Sequence, residues 1–352
     1  MTTSALRVVV LDDDPDVATY TGTVLERRAG CEVVVLHDAS DIAGTLARFD
    51  PDVVVTDIEM PGMSGLELAG VLREQAPDVG VVVMTAHVSV DYAVGALRQR
   101  ADELLTKPVP AGQLVEVVRR LGERRRAVQA ARPVVLAVGA HPDDVEIGVG
   151  GTLAKHRAAG DTVVVLTLSR GARGGDVEHR QGEALASAEL IGARLFLEDL
   201  TDTEIPMAEP TVGIVERVVA EVRPTVVYTH TVHDRHQDHR AVHQAVMVAT
   251  RGIGTVACFE SPSATVDFRP NRFVTIDAQL ETKLAMLACF ASQTAVRDYL
   301  DPEMVRATAR YWSRHGTGDA VEPLEIVRDT GGIGSGALLA ADDRRATRAG
   351  SR

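Results

Sequence analysis

Aromatic residues are scarce, at 3% of the chain with a single tryptophan, so any hydrophobic core must be built from aliphatic side chains. Cysteine is scarcer still. Cys31, Cys258 and Cys289 are scattered and odd in number, which excludes a disulfide framework and a cysteine-based zinc site and fits a reducing compartment. No apolar run approaches the roughly 20 residues of a membrane span, and Met1–Arg7 lacks the apolar stretch of a signal peptide. The expectation is a cytoplasmic protein. Positive charge is in deficit as well: Lys+Arg 37 against Asp+Glu 50 leaves a net charge of −13, which argues against nucleic-acid or membrane-surface partners.

What is present is enough apolar sequence, 45% of 352 residues, for two domains. In the first third, short Val- and Leu-rich runs recur: Arg7–Leu11, Glu32–Leu36, Asp52–Thr56, Gly80–Met84 and Glu103–Thr106. Between them lie the amphipathic stretches Val17–Ala29, Ser40–Phe49, Gly65–Gln75, Val90–Arg98 and Pro110–Gly122. This alternation predicts a doubly wound α/β domain over 1–122 with a parallel sheet. An Arg- and Ala-rich segment, 123–132, follows and is read as a solvated helix and linker rather than a nucleic-acid patch. A second series of strands over 133–329 starts at Val134–Gly139 and continues at Thr162–Leu168, Arg194–Leu197, Thr225–Thr229, Val256–Glu260 and Arg272–Ile276. Its helices are expected to start near Gly150, His179, Val212, Arg240 and Gln279. Residues 330–352, Gly-rich and then basic, read as a flexible tail.

Ligands of open α/β sheets bind at the carboxyl ends of the strands. In the first domain those ends carry Asp12, Asp13, Asp57, Thr85 and Lys107. Gathered carboxylates repel unless a cation lies among them, and hard oxygen donors suit Mg²⁺. A lysine and a hydroxyl opposite them suit a phosphoryl oxygen. The segments Leu11–Pro15, Asp57–Gly65, Thr85-Ala86 and Lys107-Pro108 resemble the receiver domain of two-component response regulators, a five-stranded, flavodoxin-like fold. That resemblance implies Asp57 as phosphoacceptor, Mg²⁺ held by Asp12, Asp13 and Asp57 with the Glu59 carbonyl, phosphoryl contacts from Thr85 and Lys107, and a sensor histidine kinase as partner. Leu104 stands where the family commonly has an aromatic switch residue.

In the second domain, Ala140–Glu146 follows one strand and Asp234–Arg240 follows another. Histidine and carboxylate from two strand ends suit Zn²⁺ with an open position, a hydrolytic arrangement in which an adjacent carboxylate acts as base. A lone His is commonly structural and a lone Asp-Asp commonly a cap; two clusters at different strand ends reverse that reading. The glycines at 148, 150 and 151 are compatible with a phosphate loop, which the neighbouring aspartates disfavour. Together with Arg180 and Glu183, His236–Arg240, Lys283 and Ser292-Gln293, the Ala140–Gly151 segment resembles the PIG-L/LmbE zinc-dependent de-N-acetylases, with a Rossmann-like fold. That resemblance implies His141, Asp144 and His239 as zinc ligands, Asp143 as base, His236 oriented by Asp238 as oxyanion stabiliser and acid, and Arg180 as a substrate contact. The family usually has proline where Gln237 stands. His230, His233 and His243 are expected to shape the pocket rather than bind metal.

The combined expectation is a response regulator whose output is a zinc deacetylase acting on an N-acetylglucosamine-type substrate, regulated through Asp57, with homodimerisation as one route. A zinc amidase acting on a non-sugar amide and a non-catalytic signalling module are the alternatives.

Overall fold

The computed structural model describes residues 4–86 and 101–330. The chain divides into two compact units, Met1–Ala131 and Arg132–Arg352.

In the first unit, β1 (Arg7–Leu11), β2 (Glu32–Leu36), β3 (Val53–Asp57), β4 (Gly80–Thr85) and β5 (Glu103–Thr106) form a parallel sheet in the order β2-β1-β3-β4-β5. Strands β3 and β4 are buried on both faces, which is why they read as continuous apolar runs rather than alternating ones. Helices α1 (Pro15–Val24), α2 (Ile42–Phe49), α3 (Gly65–Gln75) and α4 (Ala111–Ala130) connect or follow them. One aliphatic cluster, including Val10, Val55 and Leu121, and another, including Val9, Val54 and Leu68, form the unit's core. The stretch expected as a helix at Val90–Arg98 lies outside the described residues. Helix α4 runs without a break through residues 123–130, because Leu114, Val118, Leu121 and Arg125 share its buried face. Arg125 is held by Asp50, Asp52 and the Pro51 carbonyl, so this arginine is a packing element rather than a solvated charge.

In the second unit, β6 (Val134–Gly139), β7 (Thr162–Ser169), β8 (Arg194–Leu200), β9 (Val226–His230) and β10 (Thr255–Phe259) are parallel, in the order β8-β7-β6-β9-β10. Two strands extend the sheet: β12 (Val321–Asp329) runs antiparallel to β10, and β11 (Arg272–Thr275) antiparallel to β12. The sheet reverses direction of growth between β6 and β9, the crevice where such sheets bind ligands. Helices α5 (Asp144–Ala158), α6 (Val177–Leu190), α7 (Thr211–Val222), α8 (Gln237–Ala249) and α9 (Leu280–Ala288) cover the faces, with a short α10 (Ala291–Thr294) and α11 (Pro302–Trp312).

One expectation needs correction here. Helix α5 begins at Asp144, not near Gly150, and it is kinked at Val149. Gly148 and Gly151 are packing positions inside it, since added Cβ atoms would lie 2.3 Å from Phe259 and 2.6 Å from Ile276. They form no phosphate loop. Strand β12 and helix α11 were not anticipated.

Candidate active site

Two strand-end clusters emerge. In the first unit, Asp12 follows β1 and Asp57 ends β3, and both are buried. Lys107, one residue past β5, spans them: its Nζ lies 2.7 Å from Asp12 Oδ2 and 2.5 Å from Asp57 Oδ1. Burial alone would lower the lysine's pKa, but its hydrogen bonds to the two carboxylates outweigh that and raise it. The Glu59 N–H donates to Asp57 Oδ2 at 2.9 Å. Thr85, at the end of β4, is buried, and its carbonyl accepts from the Lys107 N–H at 2.7 Å. Asp13 is exposed beside Asp12. Gly65 starts α3 so close to the site that an added Cβ would lie 2.0 Å from the Asp57 carbonyl oxygen, which leaves no room for a side chain. Leu104, on β5, packs partly buried against the aliphatic cluster.

In the second unit, the loop after β6 carries His141 and Asp143 and α5 opens on Asp144, while the loop after β9 carries Asp234 and His236 and the first turn of α8 carries Asp238 and His239. Asp144 sits between two imidazoles. Its Oδ2 is 3.2 Å from His141 Nδ1, and its Oδ1 is 3.3 Å from His239 Nε2. Each histidine turns its other nitrogen to further carboxylates. His141 Nε2 lies 3.1 Å from Asp238 Oδ2 and 3.2 Å from Asp202 Oδ1, and His239 Nδ1 lies 2.9 Å from Asp234 Oδ2. Asp234 is itself held by the hydroxyls of Ser261 and Ser263, at 2.5 and 2.6 Å. The Ala140 and His141 N–H groups donate to Asp144 Oδ2 at 3.1 and 2.7 Å.

Charge is the dominant feature of this crevice. Burial would lower His239, but Asp144 and Asp234 outweigh it and raise the imidazole to about 9. Burial likewise opposes protonation of His141, and Asp144, Asp202 and Asp238 overcome it. Burial and the neighbouring Asp144 push the Asp143 carboxyl up, against the pull of Arg180. Burial also raises Glu146, to about 7; it accepts from Ser187 Oγ at 2.9 Å. Asp143 has φ +100°, a conformation that non-glycine residues rarely adopt. Its Oδ2 is 3.5 Å from Arg180 Nη2, which donates to the Pro142 carbonyl at 2.5 Å. A cavity of about 370 Å³ opens onto His141, Asp143, Asp144, Arg180, His236 and His239.

Three features differ from the sequence reading. The Asp238 carboxylate is directed at His141 and at the Thr203 and Ile205 N–H groups, not at the His236 ring. His236 instead accepts from the Asp238 backbone N–H at Nδ1, 3.2 Å away, because it is the N-cap of α8. Burial, His239 and His141 together lower its pKa, so the cationic form is disfavoured rather than favoured. His230 comes closer than expected: it stacks on His239 with ring centroids 3.9 Å apart, and its Nε2 is 3.3 Å from Asp144. Burial lowers His230 to about 4, and its Nε2 accepts the Ala140 N–H at 3.1 Å. Asp202 was missed. It follows β8, whose carboxyl end extends to Leu200 rather than Leu197, so the strand-end rule that flagged the other residues applies to it too.

The family model for the GlcNAc-PI de-N-acetylase family, PIG-L, matches residues 136–250, and that for the response regulator receiver domain matches residues 8–119. The uncharacterized deacetylase YaiS of Escherichia coli is 32% identical over 165 residues, 44% of this chain and 89% of YaiS. The chain belongs to the PIG-L de-N-acetylase family. A response-regulator receiver domain precedes its deacetylase domain. The receiver part is 39% identical over 132 residues to the C4-dicarboxylate transport transcriptional regulatory protein DctD of Pseudomonas aeruginosa, a match covering 38% of this chain but only 28% of DctD. Among solved structures, the conserved protein TT1542 from Thermus thermophilus matches 55% of this chain and 93% of its own at 25% identity, with a TM-score of 0.50. The N,N'-diacetylchitobiose deacetylase from Pyrococcus horikoshii shares the fold over 56% of this chain and 85% of its own, with a TM-score of 0.51 at 21% identity.

Proposed function

We propose that the deacetylase domain is a zinc-dependent hydrolase that removes the acetyl group from an N-acetylglucosamine-type substrate, and that phosphorylation of Asp57 regulates it. The observation that carries this reading is the arrangement around Asp144. One carboxylate and two imidazoles meet there, and the far nitrogen of each imidazole rests on a further carboxylate. That is the donor chemistry of a catalytic zinc site together with the outer groups that orient histidine ligands. The excess of carboxylates, compensated here by protonated imidazoles, asks for a divalent cation.

His141, Asp144 and His239 would hold the metal. The chemistry zinc supplies when bound is Lewis acidity toward an acyl carbonyl and toward water. Asp143 accepts the proton of the attacking water. Its strained backbone and the Arg180 guanidinium aim the carboxylate into the cavity. His236 lines the same cavity, its ring stacked beside His239 at a centroid distance of 4.5 Å and 4.8 Å from the centroid of His141. Its Nδ1 accepts from the Asp238 N–H, so its Nε2–H is free to donate a hydrogen bond to the acyl oxygen, and the proton that Asp143 takes from water passes to the departing amine. Arg180 is buried with Nε and Nη1 lacking a hydrogen-bond partner among the described residues, and serves as a substrate contact. In the receiver domain, Asp12, Asp13 and Asp57 would hold Mg²⁺, while Lys107 and Thr85 meet the phosphoryl oxygens on Asp57; the donor is a sensor histidine kinase.

The test is acetate release from N-acetylglucosamine and its glycosides by zinc-loaded protein, with bound metal measured in parallel. Protein that binds zinc yet releases no acetate from any N-acetylated amino sugar overturns the substrate assignment.

A further inference from the structure

We infer that His230 is a positioning residue, the buried base of a column of three stacked imidazoles that sets the plane of His239 and, through it, the seat of His236. What the column serves rests on the deacetylase reading above. The His230 and His239 rings lie 3.9 Å apart at 12°, and the His236 and His239 rings 4.5 Å apart at 17°. Two near-parallel rings at those distances cannot share one face of a third, so His239 is held between them. His236 and His239 are one helical turn apart, at the N-cap and the third residue of α8, which brings one ring above the other.

The base of the column is anchored in the sheet. His230 ends β9 and pairs with Phe259 of β10, whose ring lies 4.8 Å from its own. Its carbonyl accepts from His243 Nδ1 at 2.9 Å, one turn further along α8. His230 is fully buried, while His236 lines the cavity. The polar atoms of His230 do not account for it. Its Nε2 accepts the Ala140 N–H at 3.1 Å, but that N–H also has Asp144 Oδ2 at the same distance. Its Nδ1 has no hydrogen-bond partner among the described residues. What the ring supplies is a flat face. The contact of His239 Nδ1 with Asp234 fixes one edge of that imidazole and leaves its tilt open; the faces of His230 and His236 close it.

Two substitutions separate the ring from the acceptor. His230→Phe keeps a flat ring and cannot accept from Ala140, whereas His230→Leu keeps apolar bulk and has neither. On the full chain, zinc affinity is measured by competition with a chromophoric chelator, acetate release from an N-acetylglucosamine glycoside at saturating zinc, and thermal unfolding without metal. His230→Leu should bind zinc about 10- to 100-fold more weakly. It should also lose at least about tenfold in kcat with little change in KM, since His236 acts on the transition state. His230→Phe should stay within about threefold of the parent in both. His230→Leu at the parent's zinc affinity, or His230→Phe as weak as His230→Leu, overturns the inference. So does a lowered melting temperature as the sole change, the mark of ordinary core packing. The expected order of zinc affinities in protein that releases no acetate from any N-acetylated sugar would overturn the deacetylase reading and leave the hold of His230 on His239 standing.

Discussion

Asp143 carries its carboxylate on a backbone at φ +100°, a strain of the order of 1–3 kcal/mol that persists because Asp144 next to it is tied to the Ala140 and His141 N–H groups. The base proposed here is thus held at the expense of stability. Asp143→Asn should keep the fold and reduce kcat about 10²- to 10⁴-fold, measured as acetate release. Asp143→Gly, which suits the positive φ, should unfold no earlier than the parent while losing hydrolysis; a lowered melting temperature contradicts the strain argument. Asp144 and Asp234 raise His239 to about 9, and Asp144, Asp202 and Asp238 raise His141 as well. Both rings hold protons at neutral pH in the metal-free protein, so zinc must displace them. Apparent zinc affinity should rise with pH through about 9, and the calorimetric enthalpy of binding should depend on the ionisation enthalpy of the buffer. A buffer-independent enthalpy refutes it.

Helix α5 shows why an element can resist its own sequence. Val149 is non-helical at φ −138°, ψ 16°, which frees backbone groups on either side of the kink. Glu322 of β12 accepts the Gly151 and Thr152 N–H groups at 2.9 and 2.6 Å, and Lys283 of α9 donates to the Ile147 carbonyl at 2.7 Å. The pair caps both halves of a split helix, and the first half carries Asp144. Glu322→Ala leaves Lys283 buried without its carboxylate and should cost about 3–5 kcal/mol in denaturant unfolding. Adding Lys283→Met should recover part of that loss. The same buried Glu322, with Pro323 and Glu325, gives β12 the pattern of an irregular loop, which hides the strand from a reading by apolar runs. Helix α11 is different: Asp301 caps it and Pro302 opens it, a start signal present in the sequence and overlooked. In the receiver domain, burial would raise Asp102, but Arg124, the Val81 N–H and Arg73 outweigh it and hold the carboxyl below its usual range. A depressed carboxylate stabilises above its unfolded pKa and ceases to as pH falls through the folded one. Asp102→Asn should therefore be less stable than the parent at pH 7, by about 1–3 kcal/mol, and the gap should close below about pH 4.

Each of the two domains carries its own chemistry, and a receiver takes its phosphoryl group from a donor such as a sensor kinase. No helix among the described residues is long and apolar enough to cross a membrane. Helix α4 runs to Ala130, next to the division between the units at Ala131. Acetyl phosphate with Mg²⁺ should change the rate of acetate release or the oligomeric state, and Asp57→Asn should abolish the response. Hydrolysis and sedimentation both unchanged by the phosphodonor would sink the coupling.

Strand positions and the two strand-end clusters were legible from residue types because parallel strands buried on both faces are written as unbroken aliphatic runs, and their carboxyl ends are where polar residues accumulate. Asp12, Asp57 and Lys107 could be named on that basis, as could the Ala140–Glu146 and Asp234–Arg240 clusters, whereas His141, Asp144 and His239 as the ligand set came from the family resemblance. Which carboxylate faces which imidazole could not be read there. Asp238 serving His141, Asp202 joining it from β8, and His230 stacking on His239 depend on loops that meet only after folding, and linear spacing holds no measure of that distance. The split of α5 arises the same way, from side chains more than a hundred residues away satisfying its backbone.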